Sequence, residues 1–160
     1  MERLYCDASY FKGWGGMSVV GPLWSSRRRS EWCYRWDVKI AKDIVPEGGA
    51  SVFYAGCGCL NSNHAELRAL GMAFLLAYDI IGETDDEKVE IVSDSLLMLD
   101  WITNPAPEKA LAMVLMTPLR RLWRWDRRVI LSKIKGHCGN ARNELADKWA
   151  KRARLETAPR

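Results

Sequence analysis

The chain has 160 residues, 48% of them hydrophobic and 28% charged, which fits a folded globular chain and excludes a disordered, collagen-like or disulfide-stapled one. No apolar run approaches the ~20 residues of a membrane helix, the N-terminus has no basic-then-apolar leader pattern, and five dispersed cysteines read as reduced thiols of a cytoplasmic protein. The net charge of +4 is unevenly spread: residues 67–108 hold 2 basic and 9 acidic side chains, residues 109–160 hold 14 and 4, and this basic third points to a polyanion such as nucleic acid.

Residues 3–9 alternate as a strand, with Leu4, Cys6 and Ala8 on one face and Tyr5, Asp7 and Ser9 on the other. Gly13, Gly15 and Gly16 predict a tight turn into a second strand near 17–21, ended by Gly21-Pro22. Three arginines, Arg27 to Arg29, follow. Trp32, Tyr34, Trp36, Val38 and Ile40 alternate with Arg35, Asp37 and Lys39, the pattern of a half-buried strand. Pro46 to Gly49 breaks the chain, and 51–56 reads as another short strand. From His64 to Tyr78 the period becomes helical, with Leu67, Leu70, Phe74, Leu75 and Tyr78 in one stripe and Gly82 as the stop. Residues 89–93 are a β-branched strand. Asp94-Ser95 opens a helix to about Ile102, a longer basic helix spans about 109–125, and 129–134 is a strand. Residues 136–140 form a loop, and a last helix runs from Arg142 to about Arg154. Antiparallel strands followed by alternating strands and helices imply an α/β chain with a mixed sheet flanked by helices.

Five residues invite a chemical reading, and each has a plainer one. Asp7 interrupts an apolar strand, so it needs either a partner or exposure at an edge. Glu66 fits a capping box with Asn63 as N-cap. Asp94 can cap a helix, or it can sit at the C-terminal strand end where ligands gather in open α/β sheets. Asp147 is placed to pair with Lys151, as Glu144 is with Lys148. His137, between Gly136 and Gly139, is either an exposed loop residue or a proton carrier.

Taken together, these segments resemble the type 1 ribonuclease H family. The resemblance rests on Cys6-Asp7-Ala8-Ser9, on Ala55-Gly56 leading through Asn61 to Leu67, and on Val92-Ser93-Asp94-Ser95. It continues through Lys135-Gly136-His137-Cys138-Gly139-Asn140 and Asn143-Glu144-Leu145-Ala146-Asp147. It implies a ribonuclease H-like fold with a five-stranded mixed sheet, and one domain over 1–160 with an extra hairpin insert around 22–50. It implies hydrolysis of the RNA strand of RNA/DNA hybrids by two Mg²⁺ ions, with Mn²⁺ as a substitute, leaving 5′-phosphate and 3′-hydroxyl ends. Divalent cations need converging oxygen ligands. The resemblance assigns that role to Asp7, Glu66, Asp94 and Asp147, and proton transfer or product release to His137.

The same resemblance names Ser9, Asn63, Ser95 and Asn143 as contacts to substrate or site. Arg120, Arg121 and Arg124 of the basic helix are candidates for phosphates of the DNA strand. A monomer with no membrane partner is expected. Three departures from the family stand out: Ala8 replaces a common glycine, the turn after Ser9 is short, and the interval between Asp94 and His137 is too short for the basic protrusion of some members. The insert with its three arginines is a candidate replacement. The alternatives are a ribonuclease H-fold nuclease acting on a DNA junction or end, and a non-catalytic hybrid- or RNA-binding module. A zinc site from Cys57, Cys59 and His64 lacks a fourth ligand.

Overall fold

A computed structural model describes residues 2–23, 31–84, 88–95, 128–134 and 139–160. Arg27 to Arg29, the helices expected at about 95–102 and 109–125 (with Arg120, Arg121 and Arg124), and His137 lie outside the described residues.

Strands β1 (Glu2–Phe11), β2 (Trp14–Pro22), β3 (Lys39–Val45), β4 (Gly48–Gly58), β5 (Val89–Ser93) and β6 (Val129–Lys133) form one sheet in the order β3-β4-β2-β1-β5-β6. The β1–β2, β2–β4 and β3–β4 pairs are antiparallel, while β1–β5 and β5–β6 are parallel. The result is a mixed sheet flanked by helices, with six strands in place of the expected five. The sixth is β3, from the 22–50 segment, an edge strand on β4.

Alternation along β1 explains the two layers. Leu4 and Cys6 enter a core with Met17, Val19, Phe53 and the Leu67, Leu70 and Phe74 stripe of helix α2 (Ser62–Thr84). Tyr5 points the other way, into a second core with Val20, Val52, Leu145 and Trp149 of the C-terminal helix α3 (Ala141–Thr157). Helix α3 lies very close to the sheet. Ser18 Oγ donates to the Ala146 carbonyl, and a Cβ on Gly16 would collide with the Ala150 carbonyl and the Arg154 amide. The turn expected over Gly13–Gly16 is therefore confined to Lys12-Gly13, both at positive φ (45° and 84°), as in a two-residue hairpin loop. Gly15 and Gly16 belong to β2, where missing side chains admit Cys59 and α3 respectively.

Two other expectations are corrected. Residues 32–40 do not form one strand: Glu31–Arg35 is a short helix, α1, and β3 starts at Lys39. Trp32 and Trp36 are also spaced i,i+4, so a helix puts both on one face, with Cys33 buried and Tyr34 67% exposed. Trp32 Nε1 donates to Asp79 Oδ2 (2.7 Å) and Trp36 lies under Arg68, both residues of α2. Gly82 does not stop α2, which continues to Thr84, since a single glycine costs a helix only about 1 kcal/mol.

Candidate active site

The parallel pairing of β1 with β5 ends at Cys6↔Ser93. Asp7 and Asp94 are the next residues on the two strands, so the register sets two carboxylates side by side where the ladder stops. Glu66 comes from the second turn of α2. Carboxylate oxygens of Asp7, Glu66 and Asp94 all lie within 4.8 Å of one another. Asp147, from α3, adds its charge to that of the cluster at Asp7.

Asp7 is 5% exposed, which removes the edge-strand reading. Its Oδ1 accepts the Ala8 N–H (2.8 Å), which offsets part of the burial cost. Burial, then the charges of Asp94 and Asp147, push the Asp7 carboxyl up to about 7. Burial, then Asp7 and Asp94, push Glu66 up to about 9. Burial drives the Cys6 thiol beneath them far above its ordinary range, with Glu66 and Asp7 adding to the effect. Like charges gathered in a poorly solvated place bind protons tightly, and a cation removes the repulsion that makes them do so. A donor set made only of carboxylate oxygens suits a hard divalent ion.

Glu66 does not serve as a cap. The N-cap of α2 is Asn61, whose Oδ1 accepts the His64 N–H (2.8 Å), and His64 Nδ1 in turn accepts the Leu60 N–H (3.0 Å). That leaves the Glu66 carboxylate to the cluster. The Asp147–Lys151 pair does form (Nζ–Oδ2 3.1 Å), so Asp147 faces both a lysine and Asp7. Lys148 reaches Asp43 of β3 (3.8 Å). His64 is fixed at the cap, and among the described residues no third ligand joins Cys57 and Cys59, which argues against zinc.

Asn63 is half-buried in the first turn of α2, beside the cap. Ser9 is half-buried on β1, and its Oγ accepts from Arg154 Nε (2.9 Å). Ser95 donates its N–H to Ser93 Oγ (3.1 Å) next to Asp94. Asn143 is 3% exposed, and its N–H caps α3 on Asn140 Oδ1 (2.9 Å). Sequence reasoning missed Arg154, which sits beside Ser9 and over the exposed Phe11 ring (5.5 Å). Nothing local marks it, because its role depends on α3 crossing β1 and β2. Asn61 was missed as cap although it lies just ahead of Asn63.

The arrangement defines a class, an acidic centre at the C-terminal edge of a central parallel strand pair. The RNase H family profile matches residues 2–154, and the chain belongs to that family. It is thereby a hydrolase of the ribonuclease H type. RNase H1 from the halophilic archaeon Halobacterium salinarum NRC-1 is similar in structure at TM-score 0.63 and 19% identity, over 98% of both chains. LC11-RNase H1 in complex with an RNA/DNA hybrid matches at TM-score 0.62 and 16% identity, again over 98% of both. The protease–reverse transcriptase of prototype foamy virus matches at TM-score 0.66 and 17% identity, where 99% of this chain covers 21% of that one. No curated protein sequence matches the chain.

Proposed function

We propose that this chain cleaves the RNA strand of RNA/DNA hybrids with divalent cations held by Asp7, Glu66, Asp94 and Asp147. The observation that carries the reading is the convergence of Asp7, Glu66 and Asp94 oxygens within 4.8 Å, from three separate elements. An acidic cluster of this kind is costly to fold without a cation. Mg²⁺ fits the oxygen-only donor set, and Mn²⁺ is an acceptable replacement. Bound there, two such ions supply charge neutralisation for a phosphodiester and activation of a water for in-line attack.

The chain's own residues set the geometry. Asp7 is held by the Ala8 amide and by its place on the central strand, under the charges of Asp94 and Asp147. Glu66 and Asp94 flank one side and Asp147 the other. His137, with glycines on either side of it in the sequence, is the residue to which the family resemblance assigns proton transfer to or from the products. Hybrids display RNA 2′-hydroxyls across a wide minor groove. Asn63 and Ser9, both half-buried near the cluster, are the groups we assign to that groove, with Ser95 beside Asp94. Asn143, buried under the α3 cap, supports the site from below. Arg120, Arg121 and Arg124 supply phosphate contacts by charge. The likeness to LC11-RNase H1, whose structure holds an RNA/DNA hybrid, supports the substrate class.

The test presents one labelled RNA strand alone, in RNA/RNA and in RNA/DNA duplexes, and a labelled DNA duplex beside them. Internal cleavage of RNA in the hybrid alone supports the reading. Cleavage of DNA instead keeps the acidic centre and rejects the substrate. Binding without cleavage, in either Mg²⁺ or Mn²⁺, rejects catalysis.

A further inference from the structure

Cys57 and Cys59 are separated by one glycine at the end of β4, and their sulfurs are 3.7 Å apart in a hydrogen bond. Cys57 is half-buried and Cys59 is 7% exposed, packed on Gly15. Arg68 lies one α2 turn beyond His64, and its positive charge acts on both sulfurs. Its guanidinium lies over Trp36 (4.8 Å), and among the described residues its buried Nε has no hydrogen-bond partner. A partly buried cation with a free donor thus stands by a sulfur pair. The ribonuclease reading uses none of these groups.

We propose that Cys57 and Cys59 are a peroxide-sensitive dithiol, with Cys57 the attacking sulfur and Cys59 the resolving one. The division of labour follows from access: half-buried Cys57 is open to a small oxidant, while Cys59 is buried against Gly15. The Cys59 hydrogen bond brings the Cys57 thiol down to about 7 against the opposing effect of burial, and the Arg68 charge adds to the lowering. The same hydrogen bond, with burial, keeps Cys59 protonated. The reaction balances with one peroxide as oxidant. Cys57 sulfur attacks a peroxide oxygen, the O–O bond breaks, one water leaves and a sulfenic acid remains. Cys59 sulfur then attacks Cys57 sulfur, the S–O bond breaks and a second water leaves. The dithiol gives up two electrons and the peroxide becomes two waters.

Closing the bond needs the sulfurs to move from 3.7 Å to about 2.05 Å. Gly58 lies between them, and a Cβ there would meet only the Gly13 carbonyl at 4.0 Å, so no side chain crowds the approach of the two sulfurs. Among the described residues the other thiols, Cys6 and Cys33, are buried and in separate places.

The experiment uses the full chain carrying Cys138→Ser, treated with one equivalent of hydrogen peroxide and then alkylated. The expected product is about 2 Da lighter before alkylation, takes up two fewer alkyl groups than the reduced chain, carries a Cys57–Cys59 bond in the digested peptide, and is restored by dithiothreitol. In Cys59→Ser the reaction stops at a Cys57 sulfenic acid that dimedone traps. Arg68→Met slows oxidation at pH 7, by about fivefold for the first unit the Cys57 pKa rises. A bond from Cys57 to another cysteine or another chain overturns the proposal. So does Cys57 reacting no faster than Cys6 in the unsubstituted protein, a comparison that needs no folded variant.

Discussion

Glu66→Gln should stabilise the cation-free protein at alkaline pH while leaving it almost unchanged in acid. Glu66 titrates near 4.5 when unhindered and at about 9 in the folded chain. Between those values the folded state keeps a proton that the unfolded state releases. The unfolded state therefore binds fewer protons, and stability falls as pH rises, by at most about 1.4 kcal/mol per pH unit for one proton. Coulomb repulsion sets a consistent scale: two unit charges 4.8 Å apart repel by about 3 kcal/mol at an effective dielectric of 20. From pH 5 to pH 8, Glu66 thus costs the wild type about 2–4 kcal/mol. Glutamine has nearly the same shape and does not titrate. The difference between variant and wild type should grow from within about 1 kcal/mol at pH 5 to about 2–4 kcal/mol at pH 8, or about 5–15 °C in melting midpoint. Thermal and urea unfolding in EDTA at a series of pH values measures it. Equal pH slopes for the two proteins would refute the claim that Glu66 sits in a repulsive cluster.

Other expectations are separate from this one. Adding Mg²⁺ at pH 8 should raise the wild-type midpoint and barely move Asp7→Asn; equal shifts would place the cation elsewhere. Gly16→Ala should destabilise by about 3 kcal/mol or more because its new methyl meets the α3 backbone. Gly82→Ala, in open space on α2, should instead stabilise by about 0.5–1 kcal/mol, and paired urea titrations compare the two. Trp149 Nε1 donates to Asp43 (2.8 Å) and holds that carboxyl below its usual range. A depressed carboxyl adds stability above its unfolded pKa and loses it as pH falls, so Trp149→Phe should weaken the acid dependence below about pH 4. Proton NMR of the Asp43 side chain checks the cause, since an unmoved titration would contradict it.

The sheet was largely readable because β1, β5 and the α2 stripe have clean periods, and each period fixes a face. The insert was not. In 32–40 the tryptophans satisfy both alternation and i,i+4 spacing, and the choice is made by α2, which offers Asp79 and Arg68 to the helical form. Glycines misled in two directions. Gly15 and Gly16 read as turn residues, yet they are strand residues emptied of side chains so that Cys59 and α3 can approach. Gly82 reads as a stop, yet the helix carries through it. At the acidic centre each residue alone has an equally good plainer use; the motifs taken together, by their resemblance to a family, single out the four carboxylates, and the register places Asp7 beside Asp94. The Asp147–Lys151 pair shows that a plain role and a site role coexist. Arg154 and Arg68 stayed hidden because only tertiary packing gives them neighbours.

The most direct measurement is the initial rate of cleavage of an end-labelled RNA/DNA hybrid by wild type and by Asp7→Asn as Mg²⁺ is titrated from zero. The account predicts no wild-type cleavage in EDTA, a rate that rises and saturates with Mg²⁺, new 5′-phosphate and 3′-hydroxyl ends, and at least a 10²-fold loss in Asp7→Asn at every concentration. Cation-independent cleavage, or an Asp7→Asn rate equal to wild type, would contradict it.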